Sequence, residues 1–296
     1  MLGHLQEILA HINRVRTSSI PRKTEICRYL FDALNKTWTA FNYFEKELER
    51  ADSPSLYRLI LSGMPAYSQE FLQSRELESL AELEPHIMNH QTLRRGGYRP
   101  NQEIEARLRK EATREHREFV NAYRRYKASP SSGTSERLAK KSAQLLYVVR
   151  SNIAHGEKTP YGPDLVKLER DEKVSETVIP VLVKLLDLIF DKPDQKLVVY
   201  GTLAPGAANE SLLKGIDGLW QECRIRGDIR ICKGLKYFKW DPAAGETIVQ
   251  MITSEHIPSK LPNLDRFEGD GYHRILIPVK IADRFVVANV YEGTDI

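Results

Sequence analysis

Up to Phe190 the apolar residues of this chain recur at helical spacing: Leu2, Leu5, Leu9 and Ile12; then Leu30, Leu34, Trp38, Phe41 and Phe44; then Leu138, Leu145 and Val149. The pattern predicts helices at about 2–16, 22–50, 67–83, 101–127, 135–155 and 171–190. Pro21, Pro54, Pro65, Pro100 and the Ser129-Pro130-Ser131-Ser132-Gly133 run punctuate them. After Asp191 the pattern changes to short β-rich runs bounded by glycine and proline. Strands are expected at Leu197 to Tyr200, Ile225 to Ile231, Ile248 to Ile252, Ile275 to Ile281 and Phe285 to Tyr291, with one helix at Asn209 to Leu213. The change of period falls at Asp191-Lys192-Pro193-Asp194, which divides an all-helical domain (1–190) from an α+β domain (195–296). No internal repeat of fixed period is visible.

The chain has 296 residues, enough for two hydrophobic cores, and its 41% hydrophobic content excludes disorder as a description of the whole. Its most apolar stretch, Val178 to Phe190, is interrupted by Lys184 and Asp187 and falls short of the roughly 20 residues a membrane helix needs. His11, Asn13, Arg14 and Arg16 stand where the apolar core of a signal peptide would be. Three cysteines without metal-ligand spacing argue for neither a disulfide framework nor a metal site. A cytoplasmic protein without membrane, metal or cofactor is the expectation. Net charge is only +4, but Arg94 to Arg150 holds 15 basic and 6 acidic residues, with Tyr98, Tyr123 and Tyr126 interleaved. That segment is either an RNA-binding footprint or a solvated helix face with glutamate partners and core tyrosines.

Two segments of the second domain carry candidate chemistry. In Leu197-Val198-Val199-Tyr200-Gly201-Thr202-Leu203-Ala204-Pro205-Gly206-Ala207-Ala208-Asn209 an apolar strand runs into a glycine-containing turn, and Asn209 can cap a helix. Such a turn lets successive backbone amides point at one anion. In Leu264-Asp265-Arg266-Phe267-Glu268-Gly269-Asp270-Gly271-Tyr272-His273-Arg274 a carboxylate follows a large apolar residue and precedes a glycine-rich turn. Desolvation in that setting would raise a carboxyl toward the range of a general base; the other reading, and the commoner one, is an exposed, ion-paired glutamate.

Together these segments resemble the γ-glutamylcyclotransferase-like family, with Gly218-Leu219-Trp220, the Arg226-Gly227 step and a closing Val-Tyr strand adding to the likeness from about Leu197 to Glu292. The resemblance implies a small mixed barrel with helices and a cavity for a γ-glutamyl group. Tyr200, Gly201, Thr202 and Leu203 would form the substrate loop, Tyr272 would line the substrate site, and Glu268 would be the acid/base. The reaction implied is intramolecular: the substrate's α-amine attacks its own γ-carbonyl, giving 5-oxoproline and a free amine, with no cofactor.

In the helical domain the run Leu146-Tyr147-Val148-Val149-Arg150-Ser151-Asn152-Ile153-Ala154-His155-Gly156 ends at a glycine suited to a helix C-terminal cap. His155 would feel the helix dipole, which favours its charged form, and Arg150, which opposes it. On an ideal helix Arg150 and His155 lie about 140° apart, so one shared site needs local unwinding or a second subunit. With Thr37-Trp38-Thr39-Ala40-Phe41-Asn42 in an early helix, this run resembles the HEPN family. The resemblance implies an Arg-x4-His ribonuclease acting as a homodimer: His155 in acid/base catalysis, Arg150 on the phosphate and Asn152 orienting either.

The combined expectation is a HEPN-like helical bundle that cleaves or binds RNA, fused to a γ-glutamylcyclotransferase-like barrel that binds or cyclises a small γ-glutamyl ligand. A role in stress or phage defence goes with the first likeness. One rival makes the barrel the sole enzyme and the helical domain a dimerisation scaffold; another makes the whole chain a non-catalytic interaction protein.

Overall fold

The computed structural model of the protein describes residues 2–44, 60–61, 67–83, 102–156, 165–232 and 234–294; for 2–4, 38–44, 102–113, 151–156, 165–171 and 232 it describes the backbone alone. The chain forms two compact units, Met1–Ser19 with Ile189–Ile296, and Ile20–Leu188. This differs from a division at 190 in one place: helix α1 (Leu2–Thr17) belongs with the C-terminal residues. The physical reason is local. Ile8, Leu9 and Ile12 form a buried stripe, and Asn13 beside them bonds to a strand of the second half.

The helical unit contains α2 (Lys23–Phe44), α3 (Ser68–Leu72), α4 (Arg75–Glu82), α5 (Gln102–Ala128), α6 (Ser132–Gly156) and α7 (Leu165–Ile189). The single helix expected over 67–83 is two, because Ser74 breaks the run and its hydroxyl accepts from the Leu77 amide at 3.3 Å, capping α4. Helix α6 starts ahead of the expected 135. Ser131 and Thr134 bond reciprocally, amide to hydroxyl at 2.8 and 3.2 Å, and draw Gly133 into the first turn. Helix α7 likewise starts ahead of 171, and the expected 45–50 end of α2 lies outside the described residues.

Phe71, Phe119, Tyr126, Leu138 and Leu145 are fully buried in this unit. Of the tyrosines interleaved with the basic segment, Tyr123 and Tyr126 are therefore core, and Tyr98 lies outside the described residues. The segment's cations also find local carboxylates: Lys127 pairs with Glu78 at 3.3 Å, Arg114 with Glu115 at 3.0 Å, and Lys141 with Glu118. No helix among the described residues is long and apolar enough to cross a membrane.

In the other unit six strands follow: β1 (Lys196–Val199), β2 (Leu219–Cys232), β3 (Leu235–Trp240), β4 (Glu246–Thr253), β5 (Tyr272–Ile281) and β6 (Arg284–Gly293), with α8 (Ile257–Glu268) between β4 and β5. Their order is β3-β2-β4-β1-β6-β5, and a further β2–β5 pairing closes β2, β4, β1, β6 and β5 into a small barrel. The β1–β6 pair is parallel and the others are antiparallel. Alternation along the strands sends Val198, Ile225, Met251, Ile277 and Val290 into one core, and Leu197, Val199, Ile252 and Tyr291 to a second core under α8.

Strand β2 changes its main partner along its length. Its first half, Leu219 to Arg226, pairs with β4, and from Gly227 onward it pairs with β3. The bend sits at Gly227, whose φ of +149° favours glycine and where a Cβ would stand 2.4 Å from both the Lys239 carbonyl and the Phe238 ring. Gly227→Ala is expected to destabilise this unit by about 2–3 kcal/mol, as overpacking against rigid neighbours does, read as a lower urea midpoint.

The seam between β5 and β2 is held by a single paired position, Arg224 with Lys280. Helix α1 packs on β5. There the Asn13 side chain copies a strand's hydrogen bonding: its Nδ2 donates to the Leu276 carbonyl at 2.8 Å, and its Oδ1 accepts from the Leu276 amide at 2.7 Å.

Candidate active site

The site is built where β1 runs out of the barrel. Leaving Val199, the chain turns through Tyr200, Gly201, Thr202 and Leu203, closed by bonds from the Ala204 amide to the Gly201 carbonyl (3.1 Å) and from the Asn209 amide to the Thr202 carbonyl (2.8 Å). The amides of Gly201, Thr202 and Leu203 donate to no backbone carbonyl among the described residues. They supply three successive donors beside a cavity, the requirement for holding an anion. The expected helix over Asn209–Leu213 is a short 3₁₀ turn, Glu210–Leu212, and the Asn209 side chain does not cap it; the Glu210 carboxylate instead accepts from the Gly206 amide at 2.9 Å.

Helix α8 brings the carboxylate. Ile257, Leu261 and Leu264 are its buried stripe, and Glu268 continues that stripe one turn further on. The last turn therefore points a carboxyl where the periodicity calls for an apolar residue. Gly269, with a φ of +61°, turns the chain away immediately afterwards. Among the described residues no hydrogen bond or ion pair engages the Glu268 carboxyl. Burial alone pushes its pKa up, to about 7.

Glu268 shares a cavity of about 450 Å³ with the Tyr200–Leu203 turn. Other walls come from Ala207 and Asn209, from Gly234, Leu235 and Lys236 at the start of β3, from Phe267 on α8, and from Tyr272 and Tyr291 on β5 and β6. The tyrosines are fixed rather than free. The Tyr200 hydroxyl donates to the Tyr291 carbonyl at 2.8 Å and accepts from the Phe238 amide at 3.3 Å. The Tyr272 hydroxyl donates to the Lys236 carbonyl at 3.1 Å, and its ring stacks on Tyr237 with centroids 5.1 Å apart. Burial raises all three phenols, Tyr272 to about 12, so they stay neutral beside the carboxylate.

Asp265, one turn ahead of Glu268, ties α8 to the barrel. It accepts from Arg274 Nε at 2.9 Å and Nη2 at 3.2 Å, and from the Tyr291 hydroxyl at 2.7 Å. Burial works to raise its carboxyl, but Arg274 and Tyr291 outweigh it and hold the group below its ordinary range. The structure thus gathers Tyr200, Gly201, Thr202, Leu203, Glu268 and Tyr272 around one cavity, places Asn209, expected only as a helix cap, on its wall, and adds Tyr291 and the Leu235–Lys236 wall. Asp265 and Arg274 stand within the motif itself, at the spacing of an ion pair between a helix and the strand after it, which is the signal that could have marked them.

No family model matches the chain, and no curated protein matches it. Three solved structures are similar over 34% of the chain. They are YkqA from Bacillus subtilis (22% identity, 36% of that chain, TM-score 0.30), an uncharacterized protein, PH0828, from Pyrococcus horikoshii (25% identity, 79% of that chain, TM-score 0.28), and an AIG2-like protein from Mus musculus (23% identity, 78% of that chain, TM-score 0.28). The chain spans little more than a third of YkqA.

The second set of candidate residues lies on α6, whose described backbone is helical from Ser132 through Gly156, so of the two ways to bring Arg150 and His155 into one site, local unwinding or a second subunit, the first is not seen. Arg150 is half-buried; the side chains of Asn152 and His155 lie outside the described residues. The ribonuclease reading therefore remains an expectation of the sequence.

Proposed function

We propose that the barrel unit is a γ-glutamylcyclotransferase-like enzyme that converts a γ-glutamyl amine into 5-oxoproline and the free amine. The observation that carries this reading is one carboxyl, desolvated to a pKa of about 7, in the same cavity as three undonated loop amides. A γ-glutamyl head group presents the complementary pair of charges, an α-carboxylate and an α-ammonium. The amides of Gly201, Thr202 and Leu203 receive the carboxylate, and the ammonium is directed to Glu268.

Ring closure needs a neutral amine. The head group's α-ammonium, beside its own carboxylate, titrates above neutrality, so a base raised by burial to about 7 lies much closer to it than an ordinary glutamate does, and the mismatch in the proton transfer shrinks accordingly. Glu268 takes one proton from the ammonium and passes it to solvent; the freed nitrogen attacks the γ-carbonyl carbon, and the attacking nitrogen then gives a second proton to Glu268 as the five-membered ring forms. The carbon–nitrogen bond to the leaving amine then breaks as Glu268 returns a proton to it. The reaction is internal to the substrate, so fixing the head group at both ends supplies most of the ordering required. The fixed aromatic walls half-bury the carboxyl and leave the leaving amine to extend past Leu235, Lys236 and Phe267.

The test is to incubate the full chain with γ-glutamyl amines whose leaving groups are anionic, neutral and cationic, and to measure 5-oxoproline. Release from at least one, rising with pH to a plateau above about 7, is expected. A panel that gives no product and whose members do not compete with one another for binding sinks the reading.

A further inference from the structure

Residues of α1, β5 and β6 meet Asp194 in a polar cluster. Asn289 on β6 is fully buried, and its Oδ1 accepts from Arg16 Nη1 at 2.6 Å and from Arg274 Nη1 at 3.0 Å. Its Nδ2 donates to the Pro193 carbonyl at 2.9 Å and to Asp194 Oδ1 at 3.1 Å. Asp194 Oδ1 also accepts from Arg16 Nη2 at 2.6 Å, while Arg274 Nη1 stands 3.6 Å away from the same oxygen. Two guanidinium groups are thereby matched to two carboxylates, Arg16 to Asp194 and Arg274 to Asp265, with Asn289 between them.

We propose that Arg16 is a positioning residue for the Glu268 site: by satisfying Asp194 it leaves Arg274 on Asp265, and Asp265 fixes the last turn of α8. This inference rests on Glu268 being the working carboxylate. The mechanism is a competition. Arg274 is already near both carboxylates, and Arg16 bonds Asp194 directly while acting on Asp265 only at longer range. Without Arg16, half-buried Asp194 keeps only the Asn289 amide and Arg274 at 3.6 Å, and the nearest remedy is for Arg274 to close the remaining few tenths of an ångström. That movement draws it from the two-pronged bond to Asp265, which lies one turn from Glu268 and also holds the Tyr291 hydroxyl on the cavity wall. Loosening the turn admits water to a carboxyl that burial alone keeps protonated near neutrality. The groups facing Glu268 are the hydroxyls of Tyr200, Tyr272 and Tyr291 and the Lys236 wall, with Asp265 and Arg266 on its own helix and Asp270 in the turn beyond. None of them changes charge in the variants below.

The experiment follows the Glu268 side-chain carboxyl by carbon-13 NMR titration in the full chain, its resonance identified by its loss in Glu268→Gln. The wild-type midpoint is expected near 7. Arg16→Met is expected to lower it by about one unit or more as the carboxyl is hydrated, and to lower kcat for 5-oxoproline release on the order of tenfold with little change in KM. Adding Asp194→Asn removes the competitor for Arg274, so the double variant is expected to recover both values. Arg16→Lys, which keeps a charge against Asp194, is expected to resemble wild type. A folded Arg16→Met protein with the wild-type midpoint overturns the inference, as does a double variant that fails to recover. If Arg16→Met does not fold, a folded double variant with the wild-type midpoint supports the competition, and a lowered midpoint there or in Arg16→Lys overturns it. Midpoints that move as expected in a protein releasing no 5-oxoproline would retire the cyclotransferase reading and leave the positioning role standing.

Discussion

Glu268→Gln is expected to lower kcat for 5-oxoproline release by about 10²- to 10⁴-fold, the span associated with losing a general acid/base, while binding of the γ-glutamyl head group is largely retained. Glutamine keeps the shape of the side chain and a hydrogen-bonding oxygen but takes up no proton, and the loop amides and aromatic walls are untouched. The wild-type rate should climb through a midpoint near 7, because the carboxylate form is the base and burial has moved its formation there. The same shift has an opposite consequence for stability. A carboxyl whose folded-state pKa lies above its unfolded value of about 4.5 makes the native state lose stability as pH rises from that value toward 7. Glu268→Gln escapes this loss. The variant should therefore melt above wild type at pH 8, with the gap closing as pH falls to 5. An inactive variant that melts like wild type at both pH values would mean that Glu268 is not desolvated in solution.

Asn13→Ala carries the largest expected effect on folding. Asn13 is only 8% exposed, and it satisfies both backbone polar groups of Leu276 on β5. Truncation leaves a buried amide and a buried carbonyl without partners, at about 1–3 kcal/mol each, so a total of about 2–4 kcal/mol is expected after some water enters. Against the roughly 5–15 kcal/mol by which domains are stable, that is a substantial fraction. Asn13→Leu should be no better, since added apolar area cannot replace the two bonds. Urea denaturation monitored by hydrogen exchange at β5 checks it: the β5 amides should lose protection at lower urea than in wild type. Equal protection would show that the seam beside β5 holds without α1.

Glu268 is legible in the sequence because an acidic residue between Phe267 and a glycine-rich turn is unusual company for a solvated carboxylate. The Tyr200–Leu203 loop is legible because an apolar strand runs directly into a glycine. Helix α8 is much less so. Pro258 and Pro262 read as turn punctuation, yet Pro258 falls in the first turn, where an amide has no helical partner, and Pro262 gives up only one bond while Ile257, Leu261 and Leu264 bury a full stripe. Strand β3 escapes for a different reason. Phe238 is its one fully buried side chain, so Leu235–Trp240 shows no clean alternation. Asn13 and Arg16 could not be assigned from their neighbours at all. Their partners stand more than 170 positions away, and only the closed barrel brings Asp194, Leu276 and Asn289 to the face that α1 covers.

The Arg16–Asp194 pair also says something about how the chain is assembled. The sequence departs into the helical unit shortly after Arg16 and has come back shortly before Asp194, and the two side chains touch. Within the barrel unit, continuity therefore runs from α1 to β1 across this pair, although the residues between them in sequence belong to the other unit. The barrel thus has an amino-terminal helix of its own, severed from it in sequence but not in space.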